Sequence, residues 1–187
     1  MTPLCRTEDS LLVVIDIQER LAGAMLEAVR EQVTARSRLL MQAASALGIP
    51  TIVSEQYPRG LGETVPDLKI QIGENVTAIE KTCFSCSSEA SFIELVRQSH
   101  KRQIILTGME THVCVLQTAF ELQRDGLEVY IAEDSVCSRG KLYHDNALRR
   151  MQAAGIIISN SESVIFEWLQ HASHPNFKEI SALLKEL

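Results

Sequence analysis

A chain of 187 residues, 45% hydrophobic and 22% charged, has the material for a full hydrophobic core without support from metals or disulfides. Twenty-four acidic against eighteen basic residues give a net charge of −6, and no Lys/Arg cluster could follow a phosphate backbone, which sets nucleic acid aside as a partner. No apolar stretch approaches the roughly 20 residues of a membrane span, and the first ten residues lack the basic-then-apolar pattern of a signal peptide. Five cysteines without regular spacing (5, 83, 86, 114 and 137) suit a reducing compartment better than a disulfide framework. The expectation is a cytoplasmic chain forming one domain over residues 1–187, with neither membrane nor nucleic acid among its partners.

In chain order, residues 11–15 form a β-branched apolar run that ends at Asp16. A helical pattern follows over about 19–47, carried by Leu21, Met25, Val29, Val33 and Leu40 and closed by Gly48 and Pro50. Residues 51–53 read as the second strand and 76–80, ending at Lys81, as the third. Between them, residues 54–75 show little regular pattern, and a connection of that length in a compact domain is usually functional; here it is expected to cover a pocket. Helix 89–99, strand 104–106, helix 113–124 with Gly126 as its stop, and strand 128–132 come next. A helix over 146–154 ends at Gly155, a sixth strand spans 156–158, and two helices finish the chain. The last of these carries Phe177, Ile180, Leu183, Leu184 and Leu187 on one stripe, fit either for packing within the chain or for a subunit contact. Apolar strands joined by helical crossovers mean an α/β fold with a parallel sheet covered on both faces.

Three side chains stand just past strand ends: Asp16 after the first strand, Lys81 after the third and Cys114 after the fourth. Ligands of open α/β sheets bind at that edge, where the strand order reverses. With the order 3-2-1-4-5-6, strands one and four flank the crevice, and Asp16 faces Cys114 across it. Cys114 also falls in the first turn of the helix expected over 113–124, where unpaired N–H groups and the helix dipole favour a thiolate. A nucleophilic thiol needs a base or a cation beside it. His112 is two residues away, so on a helix it points to a different face, and His100, His144, His171 and His174 follow no strand end. Asp16 as proton acceptor and Lys81 as the cation offer the other solution.

At this point three segments, Val14-Ile-Asp-Ile-Gln18, Glu80-Lys-Thr-Cys-Phe-Ser85 and Thr107-Gly-Met-Glu-Thr-His-Val-Cys-Val115, resemble the signatures of the isochorismatase-like cysteine hydrolases, in order and at matching strand ends. The segments beginning at Ser54, Asp134 and His174 further resemble the isochorismatase domain-containing branch. The resemblance implies a three-layer αβα sandwich with a six-stranded parallel sheet and an Asp16, Lys81, Cys114 triad. It also implies a cis peptide between Met109 and Glu110 that turns the N–H groups of Glu110 and Cys114 toward one point as an oxyanion hole. The implied chemistry is hydrolysis of a small-molecule carboxamide, or a related C–N or C–O bond, through a thioester on Cys114. Oligomers are common in the family, so a homo-oligomer is expected.

Nicotinamidases of the same superfamily carry an Asp-x-His metal motif after the second strand, where this chain has Ser54-Glu55-Gln56-Tyr57. No Asp-x-His occurs anywhere, so no metal and no cofactor is expected. Gln18, Tyr57, Phe84 and Met109, each near one of these strand ends or in the long loop, are the candidate substrate contacts. Cys83 and Cys86 form a C-x-x-C that offers a thiol redox protein as an alternative, and a binding protein that keeps the fold without turnover is another. Neither a dinucleotide fingerprint nor a P-loop is present.

Overall fold

In the computed structural model, residues 4–73 and 75–185 are described, and within them six parallel strands carry helices on both faces. Strand β1 (Ser10–Ile15) is buried along its whole length, because it lies at the centre of the sheet between β2 (Thr51–Gln56) and β4 (Gln103–Met109). Strand β3 (Val76–Lys81) forms the edge beyond β2, while β5 (Glu128–Cys137) and β6 (Ile157–Ser159) extend the sheet beyond β4. The resulting order is 3-2-1-4-5-6, the order on which the sequence placed Asp16 opposite Cys114.

Helices α1 (Glu19–Gly23) and α2 (Glu27–Ala46) follow β1. Two single turns, α3 (Pro58–Leu61) and α4 (Pro66–Lys69), follow β2, each with proline at its start, where a missing N–H costs nothing. Helix α5 (Ala90–Ser99) comes after β3, α6 (Leu116–Arg124) after β4 and α7 (Lys141–Ala153) after β5. Helices α8 (Ser161–Leu169) and α9 (Phe177–Lys185) follow β6. Successive side chains of a strand point to opposite faces, so β1 feeds two cores. Leu12 and Val14 join Val33, Leu40, Trp168 and Ile180 on one side, and Leu11, Val13 and Ile15 join Phe92, Ala119, Leu122 and Met151 on the other.

Several boundaries differ from the sequence reading. The helix expected over 19–47 is interrupted: Ala24 and Met25 donate back to Leu21 and Ala22 in a turn, and α2 starts anew at Glu27. Apolar spacing concealed the break, since Leu26 and Val29 are exposed while Met25 and Val33 are buried. The loop after β2 is better ordered than its composition implied, as Glu55 accepts from both the N–H and the hydroxyl of Thr64 at 2.6 and 2.7 Å. In the last helix, Ile180 is fully buried and Phe177, Leu183 and Leu184 pack on the same core, so this stripe serves the chain's own interior; Leu187 lies outside the described residues.

Gly108 sits where β1 and β4 meet at the end of the sheet, paired in register with Ile15. Its φ is +124°, and a Cβ there would fall 2.0 Å from the Ile15 carbonyl oxygen. Gly108→Ala is therefore expected to cost about 3 kcal/mol or more, measured as a lower denaturant midpoint; an unchanged midpoint would contradict the close approach. Burial also raises thiol pKa values, pushing Cys86 up to about 11 and Cys137 up to about 12, with Cys5 and Cys114 shifted in the same direction. A group raised in the folded state supports folding below its unfolded pKa and loses that support as pH rises toward the folded value. Under reducing conditions, unfolding free energy is expected to fall above about pH 8.5, by about 1.4 kcal/mol per pH unit for each buried thiol. A flat profile between about pH 8 and about pH 10 would refute this.

Candidate active site

The register of the strands brings the relevant residues to one edge. Ile15 lies opposite both Ser54 and Gly108, and Gln56 opposite Lys81, so the residues following β1, β2, β3 and β4 emerge together. Asp16 turns out of β1 with φ 51°, a left-handed conformation that aspartate tolerates better than most residues, and it is fully buried. Beyond Gly108, the peptide bond between Met109 and Glu110 is cis. The chain then enters a π-helical turn, Thr111–Val115, which carries Cys114 and leads into α6.

Two donors hold the Asp16 carboxylate, and a thiol stands beside it. The Lys81 ammonium reaches Oδ2 at 2.7 Å, the Ser54 hydroxyl donates to Oδ1 at 2.7 Å, and the Cys114 thiol interacts with the carboxylate electrostatically. Both side chains of the Asp16–Lys81 ion pair are fully buried. Lys81 also donates to the Gln56 side-chain oxygen at 2.8 Å and to the carbonyls of Phe84 and Cys83 at 3.2 and 3.3 Å, so the ammonium is well supplied with acceptors.

Burial pushes the Asp16 carboxyl above the ordinary carboxylate range, against the pull of Lys81, Ser54 and Cys114. Burial works against the Lys81 ammonium as well, but Asp16, followed by Cys86 and Cys114, outweighs it and holds the lysine protonated. Burial first and the Asp16 carboxylate second push the Cys114 thiol up, with Lys81 opposing. The resting sulfur is thus a neutral thiol facing a base. This runs against the expectation that the helix terminus would favour a thiolate: Cys114 precedes α6 in the π turn, where burial first and the Asp16 carboxylate second favour the protonated form.

The other expected contacts divide. Tyr57 and Phe84 are exposed, 55% and 57%, at this end of the sheet, and Tyr57 lines a cavity of about 300 Å3 with Pro58, Arg59, Glu80, Lys81, Thr82 and Glu89. Gln18 is fully buried and its amide is committed: it donates to the carbonyls of Gln56 and Gly62 at 3.1 and 2.7 Å and accepts from the Gln56 N–H at 2.7 Å. It ties the loop after β2 to the sheet, where a substrate contact had been expected. Met109, also expected at the substrate, packs its side chain into the core on the opposite side of the sheet from the cluster containing Cys114. The Glu110 carboxylate turns to the loop after β5, accepting from the Arg139 N–H at 3.0 Å. His112 bonds Ser138 through Nδ1 at 2.9 Å and stacks on Tyr143.

Ser54 and Gln56 belong to the site and were not singled out from the sequence, and Cys86, singled out only as half of a redox pair, lies there too. For the first two, alternation along β2 combined with the register to β1 and β3 is the signal that places them. Cys86 is fully buried, with its sulfur 3.5 Å from the Ser54 hydroxyl, whereas Cys83 is only partly buried and supplies a carbonyl to Lys81; both thiols are free. Among the described residues, no group of three or more His, Cys, Asp or Glu side chains is arranged to hold a metal ion, and no helix is long and apolar enough to cross a membrane.

Comparison with known proteins bears on the family and the fold. The isochorismatase domain model matches residues 10–163. Isochorismatase domain-containing protein 2 of Danio rerio is 37% identical over 178 residues, covering 95% of this chain and 88% of that protein. A solved structure named as the MAR1 ribonuclease from Caenorhabditis elegans matches with a TM-score of 0.92 at 38% identity, covering 98% of this chain and 93% of that one. The YcaC gene product of Escherichia coli, described as an octameric hydrolase of unknown specificity, shares the fold with a TM-score of 0.86 at 20% identity, over 98% of this chain and 97% of that one. On the family match and these relatives together, this chain belongs to the isochorismatase domain family.

Proposed function

We propose that this chain is a cysteine hydrolase that cleaves a small-molecule carboxamide, or a related C–N or C–O bond, through a thioester on Cys114. The observation that carries this reading is the buried Asp16 carboxylate, held by Lys81 at 2.7 Å and faced by a Cys114 thiol whose pKa burial and that carboxylate push up. In the proposed cycle, Asp16 accepts the thiol proton as sulfur attacks the carbonyl carbon, and the tetrahedral oxyanion is met by the backbone N–H groups of Glu110 and Cys114. Collapse breaks the C–N bond, and Asp16 returns the proton to the departing amine. Asp16 then takes a proton from water, which attacks the thioester, and the acid product leaves as the thiol is restored. Lys81 compensates the carboxylate charge throughout, so that a buried base remains ionised while it waits. Tyr57 and Phe84 form the outer wall of the substrate's approach.

The assembly is read as a homo-oligomer, supported by the octameric neighbour YcaC, and its location as cytoplasmic, supported by five free cysteines. The ribonuclease name of the C. elegans relative suggests RNA as a substrate, but the net charge of −6 and the acidic Glu80 and Glu89 beside Lys81 disfavour a polyanion.

The test is a panel of small amides, vinyl ethers and a short RNA, followed by ammonia release, product mass and the mass of the quenched protein. An acyl adduct on Cys114 is expected, and Cys114→Ala should lose about a thousandfold or more in rate while keeping its fold. RNA cleavage unaffected by Cys114→Ala would overturn the reading. Lys81→Met is expected to lose activity and also about 3 kcal/mol or more of stability, because it strands a buried carboxylate. Activity should fall as pH drops through the raised pKa of Asp16, which must be ionised to accept a proton, and the plateau should extend well into the alkaline range because Lys81 and Cys114 are both raised. Activity that grows as pH falls would contradict the assignment of the base.

A further inference from the structure

The C-x-x-C that the sequence offered as a redox pair has one member, Cys86, with no part in the chemistry above, although it lies inside the site. It is fully buried, its N–H donates to the Thr118 hydroxyl of α6 at 2.9 Å, and its sulfur lies 3.5 Å from the Ser54 hydroxyl. Ser54, fully buried on β2, in turn donates to Asp16 Oδ1 at 2.7 Å. A serine hydroxyl has one proton to give and can accept from two directions. With the Cys86 thiol donating into Ser54, the serine proton is left for Asp16, and the direction of the chain is fixed: Cys86 to Ser54 to Asp16. Burial pushes Cys86 up to about 11, so it remains a protonated donor across the neutral range.

We propose that Ser54, oriented by Cys86, is the positioning residue for the Asp16 base. A carboxylate that takes a proton from sulfur, gives it to an amine and takes another from water has to keep its two oxygens apart in role. Lys81 marks Oδ2 and Ser54 marks Oδ1, so the plane of the carboxylate is fixed at both ends. The charged and titratable groups facing Asp16 are Lys81 from β3, Cys86 from the short turn before α5 and Cys114 from the π turn before α6. Loss of the serine donor removes a hydrogen bond to the charged form and makes the carboxylate harder to ionise.

The proposal rests on Asp16 serving as the base, and its test needs no substrate. The rate of carboxamidomethylation of Cys114 by iodoacetamide is followed against pH by peptide mass spectrometry, in the full chain with folding checked by circular dichroism. The acid limb of wild type reports ionisation of Asp16. In Ser54→Ala it is expected to move to higher pH by about one unit, a tenfold loss of rate below the limb. Cys86→Ala should shift it less in the same direction, and Cys86→Ser, which restores a donor, should return it to the wild-type position. A Ser54→Ala limb at the wild-type pH overturns the proposal. If Ser54→Ala does not fold, the Cys86 pair decides, and a Cys86→Ala limb at the wild-type pH overturns it equally. An acid limb that persists in Asp16→Asn sinks both this proposal and the hydrolase reading. Shifted limbs in a protein that turns over no amide sink only the hydrolase reading.

Discussion

A carboxylate and an ammonium 2.7 Å apart, with both side chains fully buried, are the constraint around which this end of the molecule is built. Two bare charges in such a place would cost several kcal/mol each in lost hydration, and their attraction offsets that cost only if the remaining hydrogen-bonding capacity is filled. It is filled from two sides, by Ser54 and Gln56 of β2 and by the carbonyls of Cys83 and Phe84 after β3, with the Cys114 thiol facing Asp16 from the π turn. Gln56 is itself held by Gln18 and by the Thr82 carbonyl, so the support extends one layer outward. A buried pair of this kind contributes little net stability; its effect is to fix geometry and to set proton affinities.

Those proton affinities give the site its character. A thiol activated by a cation alone rests as a thiolate, reactive toward any electrophile of suitable size. Here burial and the neighbouring carboxylate push the Cys114 thiol toward its protonated form, so in the proposed reaction nucleophilicity develops only as Asp16 accepts the proton. Sheet topology makes the arrangement available, because β1 and β4 at the centre, with β2 beside β1 and β3 beyond it, bring four strand ends to one edge around a single carboxylate. Gly108 is the tightest point in that arrangement, since any side chain there would push β1 and β4 apart beside the cis peptide.

Much of this was legible in the residue order, for identifiable reasons. Strands such as 11–15 and 104–106 are short apolar runs bounded by turn residues, and their alternation with helices admits few topologies once crossovers are right-handed. Asp16, Lys81 and Cys114 stand out because each follows a strand, a one-dimensional signal. Proximity to a strand end says nothing about which face a side chain takes, and so the sequence could not show that Gln18 turns to the loop and Met109 to the far core. Ser54 escaped notice, and Cys86 was noticed only as half of a C-x-x-C, because their places beside Asp16 depend on register between distant segments and on a 3.5 Å contact that no local pattern encodes. The break between α1 and α2 was invisible for a related reason, as apolar spacing continued across a turn whose residues differ in burial.

The protonation state of the resting sulfur separates a base-assisted thiol from a preformed thiolate, and the reaction assigned to this site turns on that difference. The direct measurement is the ultraviolet thiolate absorbance of the wild-type protein at neutral pH, taken as the difference from Cys114→Ala. The account predicts no difference at neutral pH and a thiolate signal that develops only in the alkaline range. A thiolate band at neutral pH that disappears with Cys114→Ala would contradict it.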